Sequence, residues 1–241
     1  NGKTILNQAA KASNKEISQI TEFVIPENIT AIGTDAFRGC TSLKTVNIPE
    51  SVVTISSNAF CDCSNLTGNL VLPKGLVTLG SLAFSGCTNL TGTVVIPDGV
   101  TSIGSYVFRN CKNLTGVVFP DDAKFSAIGY QAFKGCEKLQ GSISIPASVT
   151  SIQDGAFNGC KAIEEVQLKG NVTYIGLDAF RGCSGLKNIN IPDSVETIKN
   201  TAFGNCTGLT GELVLPKSLK ELNNYAFSGC SGLTKIVFPE D

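Results

Sequence analysis

The stretch LKTVNIPESVVTISSNAFCDC, residues 43–63, contains the pattern that decides the fold. Apolar and polar residues alternate through 46–48, which predicts a short strand with one buried face. Pro49 ends that strand, because proline cannot donate a hydrogen bond to a sheet ladder. After the following turn, Val52 and Ile55 are spaced to point inward again. The apolar residues of this stretch therefore belong to one hydrophobic core, and the stretch is too short to bury them by itself.

The same pattern recurs about every 24 residues along the chain. Each repeat contains an Ala-Phe pair, or Val-Phe in one case, and a cysteine follows each of these phenylalanines after three residues. The cysteines are Cys40, Cys63, Cys87, Cys111, Cys136, Cys160, Cys183, Cys206 and Cys230. All nine prolines share one other position, directly after an apolar residue. Self-similarity of this strength indicates a repeat architecture.

The residue before each repeat cysteine is glycine, aspartate or asparagine, the residue types that tolerate a positive φ. We therefore predict a left-handed turn at this position in every repeat. One repeat cannot bury its apolar face by itself, so neighbouring repeats must stack on one another. Stacking aligns the strands of successive repeats into a parallel sheet and predicts a solenoid.

The repeat resembles leucine-rich repeats of the BspA-like, or Treponema pallidum, class. The resemblance rests on L-x-x-V-x-I-P-x-x-V-x-x-I in 43–55 and A-F-x-x-C in 59–63, and it covers about residues 17–241. It implies an α/β-class, β-dominated leucine-rich-repeat solenoid. The coil would be right-handed, with a concave parallel β-sheet and short turns or helical turns on the convex side. The resemblance also implies a bacterial cell-surface or secreted protein, of a class that includes adhesins, and it transfers no functional residue.

Two parts of the chain are expected. Residues 1–19 lie outside the repeat and predict an N-terminal cap over the first coil. Four apolar residues there are spaced as one face of a short helix: Ile5, Leu6, Ala9 and Ala10. Residues 20–241 form the solenoid of about nine to ten repeats. The C-terminal repeat has no cap in the sequence, which indicates either a fragment of a longer protein or a last coil covered by a partner.

Composition argues against several classes of function. The net charge is −1, with 19 basic and 20 acidic residues, whereas nucleic-acid binding usually requires a basic face. No apolar stretch is long enough to span a membrane. Histidine is absent, which removes the commonest general base and the commonest metal ligand. There is also no CxxC pair for zinc, so we expect no metal, no cofactor and no enzymatic activity.

Nine of the 10 cysteines occupy the repeat position and should face the core as free, buried thiols. Disulfides between neighbouring coils are not forbidden by distance, since stacking places Cα atoms near 5 Å apart. Cys61 lies off this column, in Cys61-Asp62-Cys63. It is a candidate exposed or reactive thiol, and a buried local turn is the alternative.

The outward positions of the predicted strands form the candidate binding surface. Val71, Val95 and Val118 come from successive repeats and would make a contiguous apolar stripe, flanked by Asn69 and Thr93. Exposed apolar patches often mark interaction sites, which makes these five residues the candidate partner-binding site. The alternative is that valine occurs there because β-branched residues suit strands.

The sequence therefore predicts a non-catalytic, extracellular or surface-associated bacterial domain that binds a protein partner, with adhesion to host or bacterial proteins as its use. One alternative is a passive structural spacer that carries another module. Another is a glycan-binding module, although carbohydrate sites usually use aromatic platforms and the chain has no tryptophan and only four tyrosines. The sequence does not specify the partner or the oligomeric state.

Overall fold

A computed structural model describes residues 19–238 of the chain, and the cap predicted over 1–19 lies outside this part apart from Gln19. Short strands and turns wind into nine complete coils and the strand of a tenth. We number coils 1 to 9 by their residues, which are 20–42, 43–65, 66–89, 90–113, 114–138, 139–162, 163–185, 186–208 and 209–232. Between Ile20 and Phe238 there are turns and no helix, so the helical turns allowed by the resemblance are not found there.

The first wall of the solenoid, here called the front wall, carries the strands predicted before each proline. They are β1 (Glu22–Val24), β3 (Thr45–Asn47), β5 (Gly68–Asn69), β7 (Leu90–Thr91), β8 (Thr93–Val95), β10 (Gly116–Val118), β12 (Gly141–Ile145), β14 (Ile163–Leu168), β16 (Asn188–Asn190), β18 (Gly211–Val214) and β20 (Leu233–Val237). All pairing in this wall is parallel, as the stacking argument predicts.

A second parallel ladder forms the back wall, where the sequence predicted only inward-pointing residues. Its strands are β2 (Ala31–Ile32), β4 (Thr54–Ile55), β6 (Thr78–Leu79), β9 (Ser102–Ile103), β11 (Ala127–Ile128), β13 (Ser151–Ile152), β15 (Tyr174–Ile175), β17 (Thr197–Ile198) and β19 (Glu221–Leu222). They pair as a three-stranded sheet, β2-β4-β6, and a six-stranded sheet from β9 to β19. Each two-residue strand exists because the coils stack in register.

The third wall consists of the turns around the Ala-Phe pairs and is called the turn wall. Every residue directly before a repeat cysteine has a positive φ, between 58° and 77°, which confirms the predicted left-handed turn. In all eight junctions between coils, the phenylalanine N–H donates to the carbonyl that precedes the next phenylalanine, at 2.7–3.0 Å. The turn wall is therefore a ladder that continues through the whole described solenoid.

Two columns of side chains fill the core beside the turn wall. The repeat phenylalanines stack from Phe37 to Phe227, with neighbouring ring centres 4.8–5.8 Å apart. From Cys63 onward, each repeat cysteine donates its thiol hydrogen to the phenylalanine carbonyl of the preceding coil, at 3.0–3.3 Å. The cysteine is thus a small core residue that also links each coil to the one before it.

Unlike the turn wall, the front wall is interrupted. Coils 3, 4, 6 and 9 carry one extra residue before their strand, a glycine with positive φ: Gly68, Gly92, Gly141 and Gly211. The main front strands fail to pair at the four junctions that lead into these coils, and they pair at the other described junctions. An extra residue shifts the strand that follows it and disrupts the ladder locally, as in a β-bulge.

Candidate functional site

Coil 3 lies between two consecutive interruptions of the front wall, because coils 3 and 4 both carry the extra glycine. After the short pairing of β5 with β7, no backbone hydrogen bond joins Leu70, Val71 or Leu72 to either neighbouring coil. The side chains of Leu70 and Leu72 are nevertheless buried in the core. The segment is therefore anchored by its side chains, while its peptide groups are left without ladder partners.

An open cleft runs along each side of this segment. The cleft between coils 3 and 4 has a volume of about 470 Å³ and contains Asn69, Val71, Thr93 and Val95 in its lining. The cleft between coils 2 and 3 has a volume of about 400 Å³, and the half-buried Val46 and Ile48 line it. Both volumes lie within the range of small-ligand pockets, which begins near 300 Å³.

The candidate partner-binding residues meet at these clefts. Val71, Val95 and Val118 are 65%, 58% and 49% exposed. Val95 and Val118 are register partners in adjacent strands, and Val71 faces Val95 across the cleft between coils 3 and 4. Asn69 and Thr93 are exposed and line the same cleft. The five residues thus lie together on one wall, over coils 3 to 5.

Charged residues stand at the ends of the clefts. Lys74 and Asp98 line the cleft between coils 3 and 4, and Glu27 and Glu50 line the cleft between coils 2 and 3. A side-chain oxygen of Glu50 accepts the backbone N–H of Lys74 at 3.0 Å, which ties the two rims together. The site therefore combines apolar side chains with polar residues and with charges of both signs, as protein interfaces do.

The prediction that Cys61 has an exposed thiol is wrong. Cys61 is 5% exposed, and its Sγ lies 3.6 Å from Oδ2 of Asp62. It occupies the repeat position directly after the phenylalanine, where the short side chain of Ser85 in the next coil is also buried. In coils 2 and 3 the short side chain at this position is covered by the neighbouring coils, whereas the arginines of coils 1 and 7 reach the surface.

Burial keeps most of the thiols in their protonated form, and Cys230 is the exception because a hydrogen bond with Cys206 lowers its pKa. All ten cysteines are free and buried. Burial raises the pKa of Cys40 and Cys183 to about 12, and burial together with the Asp62 charge raises the pKa of Cys61 to about 11. A thiol must ionise to act as a nucleophile, so these three are inert near neutral pH.

Within residues 19–238, no group of three or more His, Cys, Asp or Glu residues is arranged to hold a metal ion. The same part of the chain contains no helix of the length and apolarity that crossing a membrane requires.

Stacked repeats of this length, with a parallel ladder and a phenylalanine column, define a leucine-rich-repeat solenoid. The profile of the BspA-type leucine rich repeat region matches residues 12–140, 91–210 and 126–241. The chain belongs to this family, as the repeat pattern indicated. A comparison with curated proteins gave no match.

The chain is also similar to proteins of known structure. A Treponema pallidum leucine-rich repeat protein is 27% identical over 79% of this chain and 78% of its own, with a TM-score of 0.59. The pneumococcal vaccine antigen PcpA is 24% identical over 94% of this chain and 53% of its own, with a TM-score of 0.55. A leucine-rich repeat protein from Bacteroides ovatus is 26% identical over 90% of this chain and 78% of its own, with a TM-score of 0.44.

Proposed function

We propose that this solenoid is a protein-recognition module that binds an extended segment of a protein partner on the front wall of coils 2 to 5. The observation that carries the proposal is the unpaired segment Leu70–Leu72, which lies between two open clefts. Unpaired N–H and C=O groups on an exposed strand are a template for a further strand. An extended peptide offers the matching groups, and binding by strand addition satisfies both.

The valines supply the apolar part of the recognition. Val71, Val95 and Val118 present adjoining exposed side chains on the same wall as the unpaired segment. Alternate side chains of an added strand lie on the outer face of the wall beside these valines, and the others point inward through the cleft. Apolar contacts of this kind provide affinity, while Lys74 and Asp98 at the rim favour partners with complementary charges.

A bacterial cell-surface or secreted location, with adhesion as the use of the module, belongs to the same proposal. Its support is membership of the BspA-type family. Labelling of intact source cells with an antibody against this domain tests the location. Labelling of intact cells is expected, and labelling that requires permeabilised cells contradicts it.

The binding proposal is tested with the purified domain against immobilised host matrix proteins and bacterial surface proteins. The variant Val71→Lys, Val95→Lys places two charges in the proposed contact, and we expect it to weaken binding at least tenfold. The matched control is Gln167→Lys, Asn190→Lys, which adds the same charges at exposed front-wall positions of coils 7 and 8. The control should bind within about twofold of the wild type.

Three outcomes would count against the proposal. Equal losses in both variants would show a nonspecific charge effect, and unchanged binding in both would place the site on another wall. A wild-type domain that binds no member of the panel would favour the passive spacer. The mode of binding is tested separately by hydrogen exchange, in which the partner should protect the amides of Leu70–Leu72 and leave the turn wall unchanged.

A further inference from the structure

The three arginines of the chain share one repeat position on the turn wall, directly after the stacked phenylalanine. In two of them the charge is balanced by an aspartate three residues earlier. Nη1 of Arg38 lies 3.4 Å from Oδ1 of Asp35, and Nη1 of Arg181 lies 3.7 Å from Oδ2 of Asp178. Arg109 takes part in no salt bridge with any residue from 19 to 238.

A tyrosine occupies the aspartate position in coil 4. The guanidinium carbon of Arg109 lies 5.5 Å from the centre of the Tyr106 ring, within the range of a cation–π interaction. The Nε atom of Arg109 is buried and has no hydrogen-bond partner. The guanidinium is therefore held in place by an aromatic ring, and its positive charge is not neutralised by a carboxylate as it is in coils 1 and 7.

Coil 5 adds a second ring and a second cation beside the first pair. The ring of Tyr130 meets that of Tyr106 edge-on, with centres 5.1 Å apart, and Nε2 of Gln131 donates to the Tyr130 hydroxyl at 2.9 Å. Lys134 occupies in coil 5 the repeat position of Arg109, and its carbonyl accepts the N–H of Asn110 at 2.7 Å. Among the described residues, Lys134 also forms no salt bridge.

The carboxylates of the next coils are engaged elsewhere. Oε1 of Glu137 lies 3.9 Å from Nζ of Lys112, and Oε2 of Glu137 lies 2.9 Å from Nζ of Lys161. The carboxylate therefore bridges two lysines. Oδ1 of Asp154 accepts the backbone N–H of Leu177 at 2.9 Å. Two cations at the same position of consecutive coils and two tyrosine rings in contact therefore have no carboxylate partner among residues 19–238.

We propose that Arg109, Lys134, Tyr106 and Tyr130 form a binding site for an acidic sugar, meaning a pyranose ring that carries a carboxylate or a sulfate group. A guanidinium binds either anion through paired N–H donors, and the ammonium group adds a second charge. Tyr130, the exposed tyrosine of the pair, supplies an aromatic surface against which the C–H face of a sugar packs. The site lies on the turn wall and is independent of the protein-binding front wall.

Binding is measured by calorimetry at physiological ionic strength with three polymers: heparin, which carries sulfates and carboxylates, hyaluronan, which carries carboxylates alone, and neutral dextran. We expect at least one acidic polymer to bind and dextran not to bind. Arg109→Gln should weaken binding about tenfold or more, as expected for loss of a charge-assisted contact. Arg181→Gln removes the same charge from the same repeat position, where Asp178 already pairs with it, and should change binding less than about twofold.

A second variant keeps the arginine, removes the Tyr106 ring and pairs the guanidinium with a carboxylate. Tyr106→Asp recreates the Asp–Arg pair of coils 1 and 7, where Asp35 and Asp178 have φ values of 55° and 54°, close to the 62° of Tyr106. This variant should fold normally and lose binding. Binding to heparin alone would identify sulfate as the ligand group, and binding to both acidic polymers would identify carboxylate. Absence of binding to both, or equal losses in Arg109→Gln and Arg181→Gln, would overturn the proposal.

Discussion

Coil 3 and coil 7 contain the same repeat, yet their front walls differ. In coil 7, β14 runs from Ile163 to Leu168 and pairs with β12 on one side and β16 on the other. In coil 3, pairing stops after Asn69, and the next three residues pair with neither neighbour. The outward side chain is Gln167 in coil 7 and Val71 in coil 3, both exposed. The paired coil is polar outside, whereas the unpaired coil is apolar outside.

The difference shows how one residue changes a wall without changing the core. Gly68 and Gly92 shift consecutive front strands, while the phenylalanine stack and the turn wall continue unbroken through the same coils. Only glycine takes φ near +85° at little cost, so the extra position demands that residue. Between coils 3 and 4 the back wall is also interrupted, since β6 does not pair with β9. These breaks can be tolerated because the phenylalanine stack and the turn wall hold the coils together.

The largest expected effect comes from a charge placed at matched inward positions. Val166 of coil 7 is fully buried in the closed wall, and Val46 of coil 2 is half-buried beside an open cleft. Val166→Asp should lower the free energy of unfolding by about 4 kcal/mol, and Val46→Asp by about 1 to 2 kcal/mol, because water reaches the carboxylate through the cleft. Urea denaturation of the two variants measures this. Equal losses in the free energy of unfolding would mean that the front wall is as closed at coil 2 as it is at coil 7.

Deletion of Gly68 should close the front wall between coils 2 and 3. Two to three restored ladder hydrogen bonds would raise the free energy of unfolding by about 1 to 2 kcal/mol and would weaken partner binding. Deletion of Gly141 is the control, since it should close the junction between coils 5 and 6 in the same way and leave partner binding unchanged. A Gly68 deletion that leaves both quantities unaltered would refute the role given to the extra residue.

A smaller effect should come from the thiols of the turn wall, which do not distinguish the two coils. The pKa of Cys183 is raised from 9.0 to about 12 by burial, so the folded state keeps this proton while the unfolded state loses it above pH 9. Stability from this group is full below pH 9 and is lost as the pH rises from 9 toward 12. Between pH 7 and pH 10, the free energy of unfolding of Cys183→Ala should fall by about 1.4 kcal/mol less than that of the wild type.

The measurement is the difference in free energy of unfolding between pH 7 and pH 10 for each protein. The same experiment on Cys87→Ala, in coil 3, should give a change of the same sign, because burial raises the pKa of Cys87 as well. A Cys87 thiol that reacts with a thiol reagent in the folded protein at pH 8 would show that the opening in coil 3 reaches the turn wall.

The repeat itself could be predicted from the sequence, since alternation, proline and the residue before each cysteine each specify a local geometry. The back wall could not, because a segment such as Thr54–Ile55 is too short to show a period and pairs only through stacking. For Cys61, which lies off the cysteine column, the sequence left an exposed thiol and a buried turn as alternatives, because its burial depends on the coils beside it. The extra glycines were visible in the sequence, and their effect on the front wall required the register of neighbouring strands.

The central claim is that the front wall is open at coil 3 and closed at coil 7, and hydrogen exchange of the free protein tests it most directly. The amides of Leu70–Leu72 and of 166–168 are compared in the same molecule under native conditions. The account predicts exchange at least about 100-fold slower at 166–168, where both neighbouring strands are bonded. Comparable protection of the two segments would show that coil 3 is closed and would contradict the proposed binding face.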